Sequence, residues 1–240
     1  MTHSVLTEPQ AEASVGSRTA SRVAAVASVL FGVSFFWTVA SVNVPHQATD
    51  AELLEWWGKD ANVTSGMISL LFAIFTAVLF AVITNHVLLL AGERSRHWAA
   101  FARSMAAAFT ATLLVSAALR GVIGHLVKVE DGPLPGIDVL RYTTALNYTV
   151  LAMVVMATFA LTSIALGVLV LCSGILARWQ GYVGIVLGAI VLAAAAGLVG
   201  AYTVPIAILW SLSTAVAIWR HAGVATPEVP VARAHESAAV

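Results

Sequence analysis

The sequence predicts an all-α, polytopic membrane helix bundle of six transmembrane helices, with both ends of the chain on the cytoplasmic side. Three observations carry that reading. First, 60% of the 240 residues are hydrophobic and 10% are charged, against about 25% charged in an ordinary soluble domain, and mean hydropathy is +0.91. Second, the apolar residues form runs long enough to cross lipid. Third, the arginines crowd onto alternate connections between those runs. A soluble fold of this length would have to cover its exterior with polar groups that this chain lacks, whereas lipid removes that demand.

A hydrocarbon core about 30 Å thick needs roughly 20 apolar helical residues. Residues 1–20, rich in Ser, Ala, Thr and Glu, read as a disordered tail. The first span covers about 23–42, led by Arg18 and Arg22. With no charged leading segment at the very start and no small-residue cleavage site, it reads as a retained span. The second and third, about 65–91 and 99–127, are long enough to tilt or to extend beyond the lipid. The fourth covers about 143–171, the fifth 182–201 and the sixth 205–219. Residues 200–205 must turn tightly between the last two spans. The alternative of five spans needs one very long helix with Pro205 inside it. Residues 223–240 read as a second tail.

Six spans sort the connections into two sets. One holds Arg18, Arg22, Arg94, Arg96, Arg103, Arg178, Arg220 and Arg233; the other holds Lys59, Lys128 and Arg141 among seven acids. Positive charge is retained on the cytoplasmic side, so the arginine-rich set belongs there. On the opposite side, Thr49-Asp50-Ala51-Glu52 has the capping-box pattern and precedes Leu53, Leu54, Trp56 and Trp57. This predicts a short interfacial helix over about 50–58, its tryptophans at headgroup level or, in a sharper reading, forming a lid.

An ionisable group within lipid is costly and marks a candidate site. Arg120 lies in the third span, about two turns from its outer end, beside Gly121 and Gly124, with Asn147 and Tyr148 at similar depth in the fourth. Its guanidinium suits a carboxylate or an anionic headgroup; alternatively it snorkels outward or pairs with Glu130 or Asp131. His125 is one turn further out, and His46 is in the first outer loop. Arg120, His125, Asn147, Tyr148 and Trp57 are therefore the candidate ligand-binding set. A second polar cluster, Asn85, His86, Glu93 and Arg103, lies toward the arginine-rich side, where a Glu93–Arg103 pair would join the hairpin. In the fifth span Gly184 and Gly188 have the four-residue spacing that lets helix backbones approach, within the bundle or in a homo-oligomer.

Several function classes lack their residues. No Asp or Glu falls within a predicted hydrocarbon segment, which disfavours an ion-coupled transporter. No intramembrane lysine is available for a Schiff base, and hydrolase, nucleotide and zinc-protease motifs are missing. Net charge is zero, so nothing suggests a nucleic-acid partner. The single cysteine, Cys172, reads as a small buried hydrophobe.

Leu176-Ala-Arg-Trp-Gln-Gly-Tyr-Val-Gly184, the Pro205-Ile-Ala-Ile-Leu-Trp210 element and the acidic loop with Trp56 and Trp57 resemble segments of a group of multispan membrane proteins. These are six-span integral membrane proteins of high-GC Gram-positive, actinobacterial-type bacteria with no assigned chemistry. The resemblance implies a bacterial plasma-membrane location and assigns no catalytic residue or cofactor. The leading expectation is a non-enzymatic protein that binds or passes a small amphiphile, or serves as a subunit or sensor of a membrane complex. Its partners are then the bilayer and an amphiphilic ligand or another membrane protein. The alternative is a membrane-embedded metal- or redox-dependent enzyme using His46, His86 or His125.

Overall fold

A computed structural model describes residues 8–41, 44, 48–93 and 95–224. Its elements are α1 (Glu8–Ala40), α2 (Asp50–Gly58), α3 (Asp60–Ala91), α4 (Arg96–Lys128), α5 (Ile137–Thr149), a π-helical turn (Val150–Val155), α6 (Met156–Ser173), α7 (Arg178–Ala196), a 3-10 turn (Gly200–Thr203) and α8 (Val204–Val224). Among the described residues there is no strand. Among the described residues six segments are long and apolar enough to cross a membrane, the fourth being α5, the π turn and α6 taken together. The protein is therefore a multi-pass membrane protein by architecture.

Neighbouring spans pair as α8–α1–α3–α4–α6–α7, and α7 returns against α8. Lipid gives apolar helices no hydrophobic reason to associate, so packing depends on close backbone approach and on shape. Glycine provides the approach at two crossings. On α3 and α4, a Cβ at Gly66 would sit 2.9 Å from the Arg120 carbonyl oxygen, and one at Gly124 would sit 2.8 Å from that of Val63. On α6 and α7, Gly184 faces the Ser163 carbonyl and Gly188 that of Ala160. The Gly184/Gly188 face is thus taken up within the chain by α6. Buried rings fill the bundle's middle. Phe31 and Phe35 of α1, Phe80 of α3, Phe109 of α4, Phe159 of α6 and Trp210 of α8 form one cluster, with centroids 4.4 Å apart for Phe80–Phe109 and 5.3 Å for Phe159–Trp210.

Boundaries differ from the sequence reading at the start of the first helix and at the end of the fifth span. The chain is already helical from Glu8, so residues 8–17 extend α1 ahead of the span that begins at Arg18 rather than forming a disordered tail; residues 1–7 and 225–240 lie outside the described residues. The fifth span ends at Ala196, not 201, because Leu198 turns the backbone to a positive φ of 62°. Gly200 then packs against the Ala152 carbonyl in the π turn, where a side chain has no room. Six spans result, and Pro205 takes the first turn of α8, where its missing N–H costs nothing. Cys172 is exposed on α6 rather than buried.

Helix α2 forms as its sequence predicts. Thr49 caps it, the Glu52 N–H donating to Thr49 Oγ1 at 3.3 Å and the Thr49 N–H to Glu52 Oε2 at 2.8 Å. At the helix's far end the Trp56 carbonyl accepts twice, from the Lys59 N–H at 3.3 Å and from Asn62 Nδ2 at 2.7 Å. Asp50 pairs with Arg141 of α5, and Lys128 of α4 pairs with Asp60 at the head of α3.

Candidate functional site

Two polar layers flank the aromatic cluster, one toward α2 and one toward the arginine-rich end. The layer near α2 is built around Arg120, which is 2% exposed. Its surroundings follow from the antiparallel register of α4 and α5. Ser116 Oγ donates to Asn147 Oδ1 at 2.8 Å, and Ile123 shares a cluster with Leu140. Arg120 lies between Ser116 and Ile123 on one face of α4, and Thr144 lies between Asn147 and Leu140 on one face of α5. The helical repeat therefore sets Thr144 opposite Arg120.

Arg120 Nη1 donates to the Thr38 carbonyl of α1 at 2.7 Å. That carbonyl belongs to the last turn of α1, where intrahelical donors run out and the helix end carries partial negative charge. Arg120 thus caps α1, which gives half a structural reason for a buried cation. A hydroxyl chain continues from there. Thr38 Oγ1 lies 3.2 Å from Thr76 Oγ1, which in turn lies 2.9 Å from Ser34 Oγ.

The other half of the guanidinium is unsatisfied. Arg120 Nε and Nη2 are buried without a hydrogen-bond partner, and no carboxylate pairs with them among the described residues. These two nitrogens share one edge of the guanidinium and present parallel N–H bonds, the fork that grips a carboxylate or phosphate with two hydrogen bonds. Thr144 Oγ1 on the facing helix is also unpartnered, as is Trp57 Nε1 in the layer above. All four groups can donate. Buried polar atoms in folded proteins are nearly always paired, so an edge of unused donors here calls for an acceptor.

The expected candidates separate on this geometry. Arg120 neither snorkels nor pairs with Glu130 or Asp131, because the Gly66, Gly121 and Gly124 crossing seals it beneath α3. Asn147 joins its layer through Ser116. Trp57 is 2% exposed and packs with Leu53, Val63, Ile123 and Leu140, so it turns into the protein rather than to the headgroups; α2 is a cap on α3 and α5. Tyr148 leaves the set, its hydroxyl lying toward that of Tyr202. His125 is exposed and faces Glu130, Nε2 to Oε1 3.3 Å. His46 lies outside the described residues.

Sequence reading missed Thr38, Ser116 and Thr144. Serine and threonine in membrane helices commonly bond back to their own helix, as Thr112, Thr158 and Thr162 do here. Nothing in composition separates those from the ones that face a partner.

At the arginine-rich end the expected Glu93–Arg103 pair does not form; both side chains are exposed. Arg94 lies outside the described residues. His86 is half-buried with Nε2 unpaired. Among the described residues no group of three His, Cys, Asp or Glu side chains is placed to hold a metal ion.

No family model matches the chain, and no curated protein or solved structure does so either. The site's chemistry therefore rests on its own geometry. Outside the spans, the Glu52 carboxyl is held below the ordinary carboxylate range, chiefly by the Thr49 backbone N–H and then by its hydroxyl.

Proposed function

We propose that this protein is a non-enzymatic membrane receptor or carrier for a small amphiphile with a carboxylate or phosphate head. That head would be held on the Nε/Nη2 edge of Arg120 beneath the α2 cap. One observation carries the reading: a buried arginine that spends one nitrogen on capping a helix and leaves the paired edge empty, without a carboxylate. Thr144 and Trp57 add donors on the α5 and α2 sides. The Asp50–Arg141 pair ties the cap to α5, and it is exposed enough to open at small cost. A bacterial plasma membrane is the proposed location. Arginine crowding at one end supports a cytoplasmic placement of both chain termini, with the α2 cap outside.

Native mass spectrometry of the detergent-purified protein and of Arg120→Gln tests this. The wild type is expected to carry a discrete acidic mass that the variant loses at equal yield. Equal retention by both would remove Arg120 from the site, and a bare wild-type polypeptide would point to an accessory subunit instead.

A further inference from the structure

The second polar layer has a groove that the Arg120 reading does not use. It runs between α3 and α4 toward the arginine-rich end, with a volume of about 470 Å³. Ala81, Ala107 and Ala111 line it, so the two helices leave a trough where larger side chains would have met. The register of the pair explains what stands at its mouth. Gly66 lies against Arg120 and Gly124 against Val63. Continued along the antiparallel helices, this register sets Thr84 and Asn85 beside Arg103, and all three line the groove.

Three observations specify the occupant. Arg103 and Leu114 mark the groove's ends on α4, 11 residues apart. At about 1.5 Å per residue this spans about 16 Å, the depth of one leaflet of a core about 30 Å thick. The mouth carries a cation and an amide with no carboxylate among the lining residues, and Arg96 lies two helical turns away on the same side of α4. In the wall, Thr84 is 3% exposed and its hydroxyl has no partner, unlike the back-bonded Thr76 on the same helix. A membrane-spanning helix of a partner would match the alanines but would leave the Arg103 cation at the mouth unanswered.

We infer that this groove is a binding site for a single anionic phospholipid. Its phosphate sits at Arg103 and Asn85, and one acyl chain lies along the alanine trough. The site is separate from Arg120 and stands without it.

The test is titration of the purified full-length protein with phosphatidylglycerol and with phosphatidylcholine, read by native mass spectrometry. The wild type is expected to retain one phosphatidylglycerol about tenfold more tightly than phosphatidylcholine, which has the same phosphate but sets a choline cation against Arg103. Arg103→Gln should lose that preference while still binding both lipids weakly. Ala107→Leu, which fills the trough from an exposed position, should lose both. Size-exclusion profiles show whether each variant is folded, and Arg120→Gln should leave phosphatidylglycerol retention unchanged. Equal affinity of the wild type for the two lipids, or a preference that survives both groove variants, would overturn the site. So would a mass of two chains that Ala107→Leu returns to one, because the trough would then hold a second copy.

Discussion

Helices α3 and α4 are one pair with two different halves. Toward α2, Gly66, Gly121 and Gly124 bring the backbones into contact, and Arg120 is sealed beneath them. Toward the arginine-rich end, alanines on the same helices leave a groove between them, and Arg103 stands exposed at its mouth. A hydrogen and a methyl group decide the difference. Without a hydrophobic drive between helices in lipid, separation follows the size of the side chains at the crossing. The consequence for charge is large. The same residue type is a desolvated donor in one half and an accessible, hydrated cation in the other.

The strongest way to break this comparison is to fill the close half. A side chain at Gly66 collides with a backbone carbonyl, which cannot yield without moving α4. Gly66→Leu is therefore expected to cost about 3 kcal/mol or more, or to abolish recovery of monodisperse protein. Ala107→Leu in the open half should stay within about 0.5 kcal/mol. Thermal melts of both variants in one detergent provide the check, and similar melting temperatures would show that the two halves are equally tight.

Next in size is the arginine pair. Arg120→Met removes two unpaired buried nitrogens at the loss of one cap hydrogen bond. The ligand-free protein should gain about 1–2 kcal/mol, whereas Arg103→Met should change little. A loss of stability in Arg120→Met would mean that the α1 cap alone justifies the buried charge. A gain, together with loss of the bound acidic mass, would identify a residue kept for binding at the expense of stability.

The smallest effect sharpens the cap itself. Glu52 titrates lower in the folded protein than in the unfolded chain because Thr49 hydrogen-bonds its ionised form. Its contribution to α2 is present above the unfolded value and is lost as pH falls through the lowered one. Hydrogen exchange in α2 should therefore quicken only on acidification below the ordinary carboxylate range, and Glu52→Gln should abolish that dependence. A pH response of equal size in the variant would assign it to other acids at this end.

Much of this molecule is legible before folding. Six spans, the capped α2 and the suspicion attached to Arg120 all follow from local pattern, because lipid forces each span to satisfy its own backbone and penalises each charge singly. The end of the fifth span was misplaced because a leucine at positive φ has no sequence signature. Trp57 was assigned to the headgroups by its type, yet Val63, Ile123 and Leu140 from three other helices enclose it. The Glu93–Arg103 pair failed for the same kind of reason, since proximity along a hairpin does not settle which way two long side chains turn.

By itself, then, the sequence determined what each segment must be: span, cap or connection, and where charge is expensive. Those are one-body properties, set by each helix against lipid or water. Tertiary structure alone decided that Thr144 faces Arg120, that the Nε/Nη2 edge is left empty while Nη1 caps α1, and that the alanines of α3 and α4 line one groove. These are properties of pairs of helices. They depend on rotation and register between spans, which small differences at each crossing select and which apolar composition leaves undetermined.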